Sequence, residues 1–149
     1  MSSWYFFVPR RKRRKVKRRS KLPAYHKEAR RILVARTREL ANAYNFSVRK
    51  IFVKHQKTRW GSCSANNNIN LNAKLIFLRQ ELRDYVIMHE LCHLRHMNHS
   101  AQFWAEVTKY IPHAKAFQKE LRLRPYHELK MEGLKEAKNF DTIRVVTYS

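Results

Sequence analysis

The chain has 149 residues, of which 33 are lysine or arginine and 11 are aspartate or glutamate, so its formal net charge is +22. A hydrophobic content of 44% is that of a folded domain, and no apolar run approaches the roughly 18 residues of a membrane-spanning helix. A disordered protein and a membrane protein are therefore excluded. The short N-terminal apolar stretch is not a secretory signal, and only two cysteines occur, so we expect a cytoplasmic protein without disulfides.

The positive charge predicts attraction to polyanions, chiefly nucleic acid. It is densest over residues 10–21, where ten of twelve residues are lysine or arginine. Like charges at this density repel one another, so this segment is predicted either to lie along a phosphate backbone or to be a solvated tail. A generally basic composition without a nucleic-acid role is the alternative. We divide the chain into an aromatic and basic extension, residues 1–21, and a domain, residues 22–149.

The first elements of the domain are predicted from hydrophobic periodicity. Apolar residues at helical spacing predict a helix over residues 24–44, ended by Asn45. Strands are predicted over residues 48–54 and 69–72, with a bend at residues 59–64 between them. We expect the two strands to form a hairpin-type pair. The edge of such a pair can hold an extended peptide by backbone pairing, although a plain structural hairpin fits equally well.

The second half of the chain is predicted to be mainly helical. No proline or glycine interrupts residues 80–96, which we expect to form one helix. Further helices are expected over residues 100–111, ended by Pro112, and over residues 113–123. The β-branched residues of 143–148 predict an additional strand.

An H-E-x-x-H sequence lies inside the second predicted helix, from His89 to His93. Residues four apart lie about 40° apart on one helix face and about 6 Å along its axis, so two imidazoles can share one metal ion. Glu90 is then placed to act as general base on a water bound to that metal. Cys92 points to the edge of this face and is interpreted as a buried structural thiol. The site needs one more ligand, because a catalytic zinc usually has three protein ligands and an open position.

Three residues are candidates for the third ligand, and His99 is favoured. His96 faces the right way but lies about 10 Å along the helix axis from His89. His99 requires the helix to stop first, and Asn98 tolerates the left-handed conformation that ends helices. Glu106 is the remaining candidate, either as a ligand or as a residue that orients an imidazole.

Two supporting roles follow from the chemistry of such a site. The imidazoles need partners for their outer nitrogens, and Asp84, Glu106 or backbone carbonyls are the candidates. A residue that stabilises an oxyanion is also expected, and Arg59, Tyr110 and His113 have suitable chemistry.

Four sequence blocks occur in one order between residues 24 and 123. They are RWGSCS at 59–64, INLN at 69–72, DYVIMHELCHL at 84–94, and NHS at 98–100 followed by Phe103 and Trp104. In this order they resemble the YgjP-like metallopeptidase domain, a family of small zincins related to SprT-like peptidases. The resemblance implies a compact α+β zincin-like domain with a small sheet, an active-site helix and flanking helices. It also implies that His89, His93 and His99 bind zinc and that Glu90 is catalytic.

The predicted function is that of a zinc-dependent metallopeptidase-like hydrolase acting on a polypeptide, with Glu90 as general base. The charge keeps two other classes open: a metal-dependent nucleotide phosphohydrolase, and a nucleic-acid-binding protein with a structural zinc site. Cleavage of unfolded protein supports the first class, and release of phosphate or pyrophosphate from nucleotides supports the second. The third predicts that Glu90→Gln leaves every activity intact.

Overall fold

The computed structural model describes residues 22–123. This part of the chain is an α+β domain of helices, short strands and one 3₁₀ segment, as the sequence predicts. In chain order the elements are α1 (His26–Ala43), β1 (Lys50–Lys54), β2 (Gly61–Cys63), β3 (Asn68–Asn72), the 3₁₀ segment (Ala73–Phe77), α2 (Gln80–Cys92), α3 (Ala101–Tyr110) and α4 (Ala114–Leu123). The basic run of residues 10–21 and the strand predicted over residues 143–148 lie outside the described residues.

Helix α1 forms where the apolar periodicity predicts it. Its residues Ala29, Leu33 and Leu40, four and then seven positions apart, are buried against the rest of the domain. Asn45 ends the helix in the left-handed conformation at φ 56°. Asparagine tolerates this conformation better than other residues that carry a Cβ, so the predicted break at Asn45 is confirmed.

The three strands form one sheet in the order β1-β3-β2, which shows that the predicted hairpin was wrong. Strand β1 runs parallel to β3, and β2 runs antiparallel to β3 on its other side. The hairpin is formed by β2 and β3, and its turn contains Asn67 at φ 55°. The residues predicted as a bend therefore include an edge strand, Gly61–Cys63.

The sheet has a core face and an open face. Residues paired across neighbouring strands point to the same side, so Ile51 and its partner Ile69 face the core. Phe52, Asn70 and Ser62 are paired one position further along and point to the opposite side. Helices α1 and α2 contact the sheet, and the apolar strand residues that face them belong to the core.

Helix α2 lies at the centre of the core, because apolar residues on most of its circumference are buried: Leu82, Tyr85, Val86, Ile87, Met88, Leu91 and Cys92. It ends at Cys92, four residues before the predicted end.

Helix α3 begins after Ser100, whose hydroxyl accepts a hydrogen bond from the Phe103 N–H at 3.3 Å. Helix α4 turns Ala114 and Leu121 inward. Within residues 22–123, no helix is long and apolar enough to cross a membrane.

Candidate metal centre

Helix α2 presents His89 and His93 one turn apart, as their spacing predicts, with ring centroids 4.9 Å from each other. The buried ring of Phe103, on α3, contacts both imidazoles. Its centroid lies 4.9 Å from that of His89 and 4.4 Å from that of His93, on which it stacks. Helix α3 therefore provides an apolar wall that restricts the orientation of both rings.

His93 caps the C-terminal end of α2, and its ring is oriented by the backbone that follows. Its Nδ1 lies 2.9 Å from the carbonyl oxygen of His96. Because a carbonyl only accepts hydrogen bonds, Nδ1 carries the proton and Nε2 is left with a lone pair. A backbone carbonyl thus plays the orienting role expected at a metal site.

The turn after α2 is held by side chains rather than by a special backbone conformation. Arg95 donates to the carbonyls of Tyr44 and Asn45 at 3.0 and 3.1 Å, at the end of α1. The same guanidinium lies over the Phe46 ring, 4.0 Å from its centroid, and forms an ion pair with Glu106. Four groups from two parts of the chain, residues 44–46 and helix α3, thus fix the position of Arg95.

This arrangement corrects one expectation about the turn and places the two alternative candidates for the third ligand. Among residues 22–123, the non-glycine residues with positive φ are Asn45 and Asn67, so Asn98 does not end the helix in the left-handed conformation. His96 points away from the other histidines, and its Nε2 lies 2.8 Å from the Glu106 carboxylate. Neither His96 nor Glu106 therefore joins the histidine group.

His99 returns from the turn to face the helix. Its Nε2 lies 3.1 Å from the Nε2 of His89, and its ring centroid lies 4.7 Å from that of His93. The ring also stacks on Trp104 at 6.1 Å. His99 itself is exposed, so the group of three imidazoles has an open side.

The three histidines are suited to one metal ion. One nitrogen of each residue lies within 4.8 Å of the others. Two nitrogens on a tetrahedral zinc are about 3.4 Å apart, since each lies about 2.1 Å from the metal, and the 3.1 Å between His89 and His99 is close to this separation. Burial lowers the pKa of each imidazole, that of His89 to about 3, with further contributions from its histidine neighbours. The rings are therefore neutral, which is the form that binds metals.

Glu90, which follows His89 in the chain, is buried, at 6% exposure. Burial raises the pKa of its carboxyl group to about 8, and the positive charge of Arg59 opposes that rise. The carboxyl group lies against β2, where a Cβ atom built on Gly61 would be 2.8 Å from Oε1 of Glu90. Gly61 was not predicted to contribute to the site, although it is one of two glycines in the chain.

Other candidate residues lie elsewhere. Asp84 binds Arg36 through two hydrogen bonds of 2.9 and 2.7 Å, so it does not orient an imidazole. Tyr110 contacts Glu106 and Arg95, away from the histidine group. Burial raises the pKa of the Cys92 thiol to about 12, in agreement with its interpretation as a structural residue.

The sequence matches the family model described as "YgjP-like, metallopeptidase domain" over residues 4–124. The chain therefore belongs to the YgjP-like family of metallopeptidase domains, as the resemblance of its motifs predicts. No curated protein matches it.

Six chains of solved structures are similar to this protein, and they include metallopeptidase zymogens from two organisms. Jannalysin of Methanocaldococcus jannaschii shares 23% identity over 61% of this chain and 94% of its own, with a TM-score of 0.53. Abylysin of Pyrococcus abyssi shares 27% identity over 65% of this chain and 88% of its own, with a TM-score of 0.48. The likeness to jannalysin supports the zincin-like fold.

Proposed function

We propose that this metallopeptidase domain hydrolyses polypeptides with a zinc ion held by His89, His93 and His99. The observation that supports it is the convergence of three neutral imidazoles, with the buried carboxyl group of Glu90 on the residue that follows the first of them. A catalytic zinc site needs three protein ligands and an open position, and the exposed side of His99 leaves room for one. The free thiols of the chain are compatible with the predicted cytoplasmic location.

Glu90 is proposed as the general base. When bound, zinc lowers the pKa of a water to about 7 and polarises the scissile carbonyl. Glu90 accepts a proton from the attacking water and then donates it to the leaving amine. Burial suits this role because it brings the pKa of the carboxyl group, about 8 without a metal, close to neutral pH.

The outer edge of β2 is the proposed site for the substrate backbone. Strand β2 is bonded to β3 at Trp60 and Ser64. Hydrogen-bonding residues alternate along an antiparallel ladder, so the N–H and C=O groups of Gly61 and Cys63 point towards the open edge. An extended peptide can add a strand there through backbone hydrogen bonds, which places its carbonyl groups beside Glu90.

A nucleotide phosphohydrolase is the second candidate. It is favoured by the cationic side chain of Arg59, whose charge acts on Glu90 and would attract a phosphate group equally well. The same three ligands and the same base serve either reaction, so the substrate decides between them.

The test uses the purified full chain with zinc. We expect cleavage of an unfolded polypeptide, and we expect Glu90→Gln to lower kcat by at least about 100-fold while zinc content is unchanged. Glu81→Gln, an exposed glutamate on the same helix, is the matched control and should retain activity. Release of phosphate or pyrophosphate from nucleotides without peptide cleavage would select the second candidate, and activity that survives Glu90→Gln would reject both.

A further inference from the structure

Strand β1 carries an aromatic residue between two lysines on the open face of the sheet. Lys50, Phe52 and Lys54 alternate with core-facing residues, so all three point to the same side. Phe52 is 41% exposed, which is unusual for an aromatic side chain in the middle of a strand. The ammonium group of Lys54 lies 5.3 Å from the centre of the Phe52 ring.

Polar side chains on β3 extend this surface. Asn68 pairs with Lys50 and Asn70 pairs with Phe52, so both asparagines point to the open face beside β1. We call the surface formed by Lys50, Phe52, Lys54, Asn68 and Asn70 the β1 face. It combines cations, amide groups and one aromatic ring, and none of its five residues is acidic.

A second basic surface lies on the other side of β1, next to α1. It is a groove of about 420 Å³ whose lining includes the four cationic side chains of Lys27, Arg30, Arg31 and Arg38. The lining side chains of this groove in residues 22–123 include no acidic residue, and one of the four cations, Arg31, is ion-paired with the neighbouring Glu28. Positive charge therefore flanks strand β1 on both sides, at the edge of the sheet opposite to β2.

We propose that the β1 face binds single-stranded nucleic acid, with a base stacked on Phe52 and phosphates contacting Lys50 and Lys54. Proteins that bind single strands combine a positively charged track with aromatic side chains on which bases stack. A duplex does not offer its base faces for stacking, and the acidic side chains of a peptide have no aromatic plane to match Phe52, whereas every nucleotide of a single strand carries both a phosphate and a base. The net charge of +22 complements a polyanion.

The β1 face is separate from the candidate metal centre. The metal centre adjoins β2, at one edge of the sheet and on its core side, whereas the β1 face lies at the other edge and on the open side. A nucleic acid on the β1 face therefore leaves the β2 edge accessible. The proposal does not depend on which reaction the metal centre performs.

The test measures binding of the full chain to a labelled single-stranded RNA of about twelve nucleotides and to the same sequence as DNA, by fluorescence anisotropy. Phe52→Ala is expected to weaken binding by about 5- to 150-fold, the range for loss of one stacked base. Phe52→Leu should weaken it similarly, because leucine keeps the apolar contact area but has no π face. Binding of duplex DNA should change little in either variant.

Charge reversal gives a matched comparison. Lys50→Glu with Lys54→Glu and Lys115→Glu with Lys119→Glu change the net charge equally, and the second pair lies exposed on α4. The first pair should weaken RNA binding more and reduce its salt dependence. Because residues 10–21 are present in every variant, their contribution cancels.

Three results would overturn the proposal, provided that circular dichroism shows each variant to be folded. The first is unchanged single-strand binding by Phe52→Leu. The second is an equal effect of the two charge-reversal pairs, which would indicate general attraction by the net charge. The third is binding of polyglutamate with the same dependence on Phe52, which would identify an acidic peptide as the ligand. Tighter binding of RNA than of DNA, or the reverse, identifies which single strand the surface prefers.

Discussion

The carboxyl group of Glu90 occupies the space that a side chain on Gly61 would fill. A Cβ atom at position 61 would lie 2.8 Å from Cγ and 2.8 Å from Oε1 of Glu90, closer than such atoms approach in proteins. In the part of the chain that the structure describes, no glycine has a positive φ. The glycine is therefore required by the close approach of β2 to α2, not by the conformation of its own backbone.

Gly61→Ala is expected to displace Glu90 and to lower kcat by about 10- to 100-fold, because small misplacements of a catalytic group are costly. Stability should fall by about 1–3 kcal/mol, the usual cost of adding a methyl group to a packed site. Zinc content should not change, since the three histidines are untouched. Ser62→Thr adds a methyl group to the same strand on its opposite face and should keep kcat. If Gly61→Ala keeps the kcat of the original protein, Glu90 has room to move and the proposed role of Gly61 is wrong.

His99→Ala is expected to weaken zinc binding much more than His96→Ala does. His99 lies in the histidine group, 3.1 Å from His89, whereas the His96 side chain is paired with Glu106. The contact between His96 and His93 involves the His96 backbone carbonyl, so removing the side chain leaves it in place. Competition with a chelator measures the two affinities. Equal losses, or a larger loss in His96→Ala, would contradict the proposed ligand set.

Arg95→Lys is expected to loosen the turn that carries His99, even though the charge is kept. A lysine cannot contact two carbonyls, a carboxylate and an aromatic face at once, as the planar guanidinium does. Zinc affinity should fall about 10-fold, the scale of losses caused by groups that support ligands, and stability should fall by about 1–2 kcal/mol. Arg31→Lys, in an exposed ion pair with Glu28 on α1, is the control and should change neither quantity.

The stability of the zinc-free protein should fall as pH rises from about 6.5 to about 8. Burial raises the pKa of Glu90 from 4.5 to about 8. Between these values the folded state holds a proton that the unfolded state has lost. The free energy of unfolding therefore decreases with pH, by up to about 1.4 kcal/mol per pH unit. The imidazoles act in the opposite direction below about pH 6.5, because their pKa values are lowered and the unfolded state binds more protons.

Denaturant titrations in the presence of a chelator measure this dependence. Glu90→Gln should abolish the decline above pH 6.5, and Glu81→Gln should retain it, because Glu81 is exposed. A decline that persists in Glu90→Gln would show that another group titrates in this range.

Local patterns were sufficient to predict the helices, because their apolar spacing repeats over several turns. They were not sufficient for the sheet. Strand β2 is three residues long, too short to show alternation, and the parallel pairing of β1 with β3 depends on where β2 inserts. The histidines of α2 could be placed from their spacing, whereas the path to His99 depends on Arg95 and its distant partners.

Arg95 also sets a condition on when the metal centre can form. Its contact with the Tyr44 carbonyl joins residues 51 positions apart in the chain. Helix α2 alone offers two imidazoles, and the third reaches them once the end of α1, the turn and α3 have come together. Tight zinc uptake is therefore expected late in folding, and the metal affinity of a fragment or variant reports whether its long-range packing is complete.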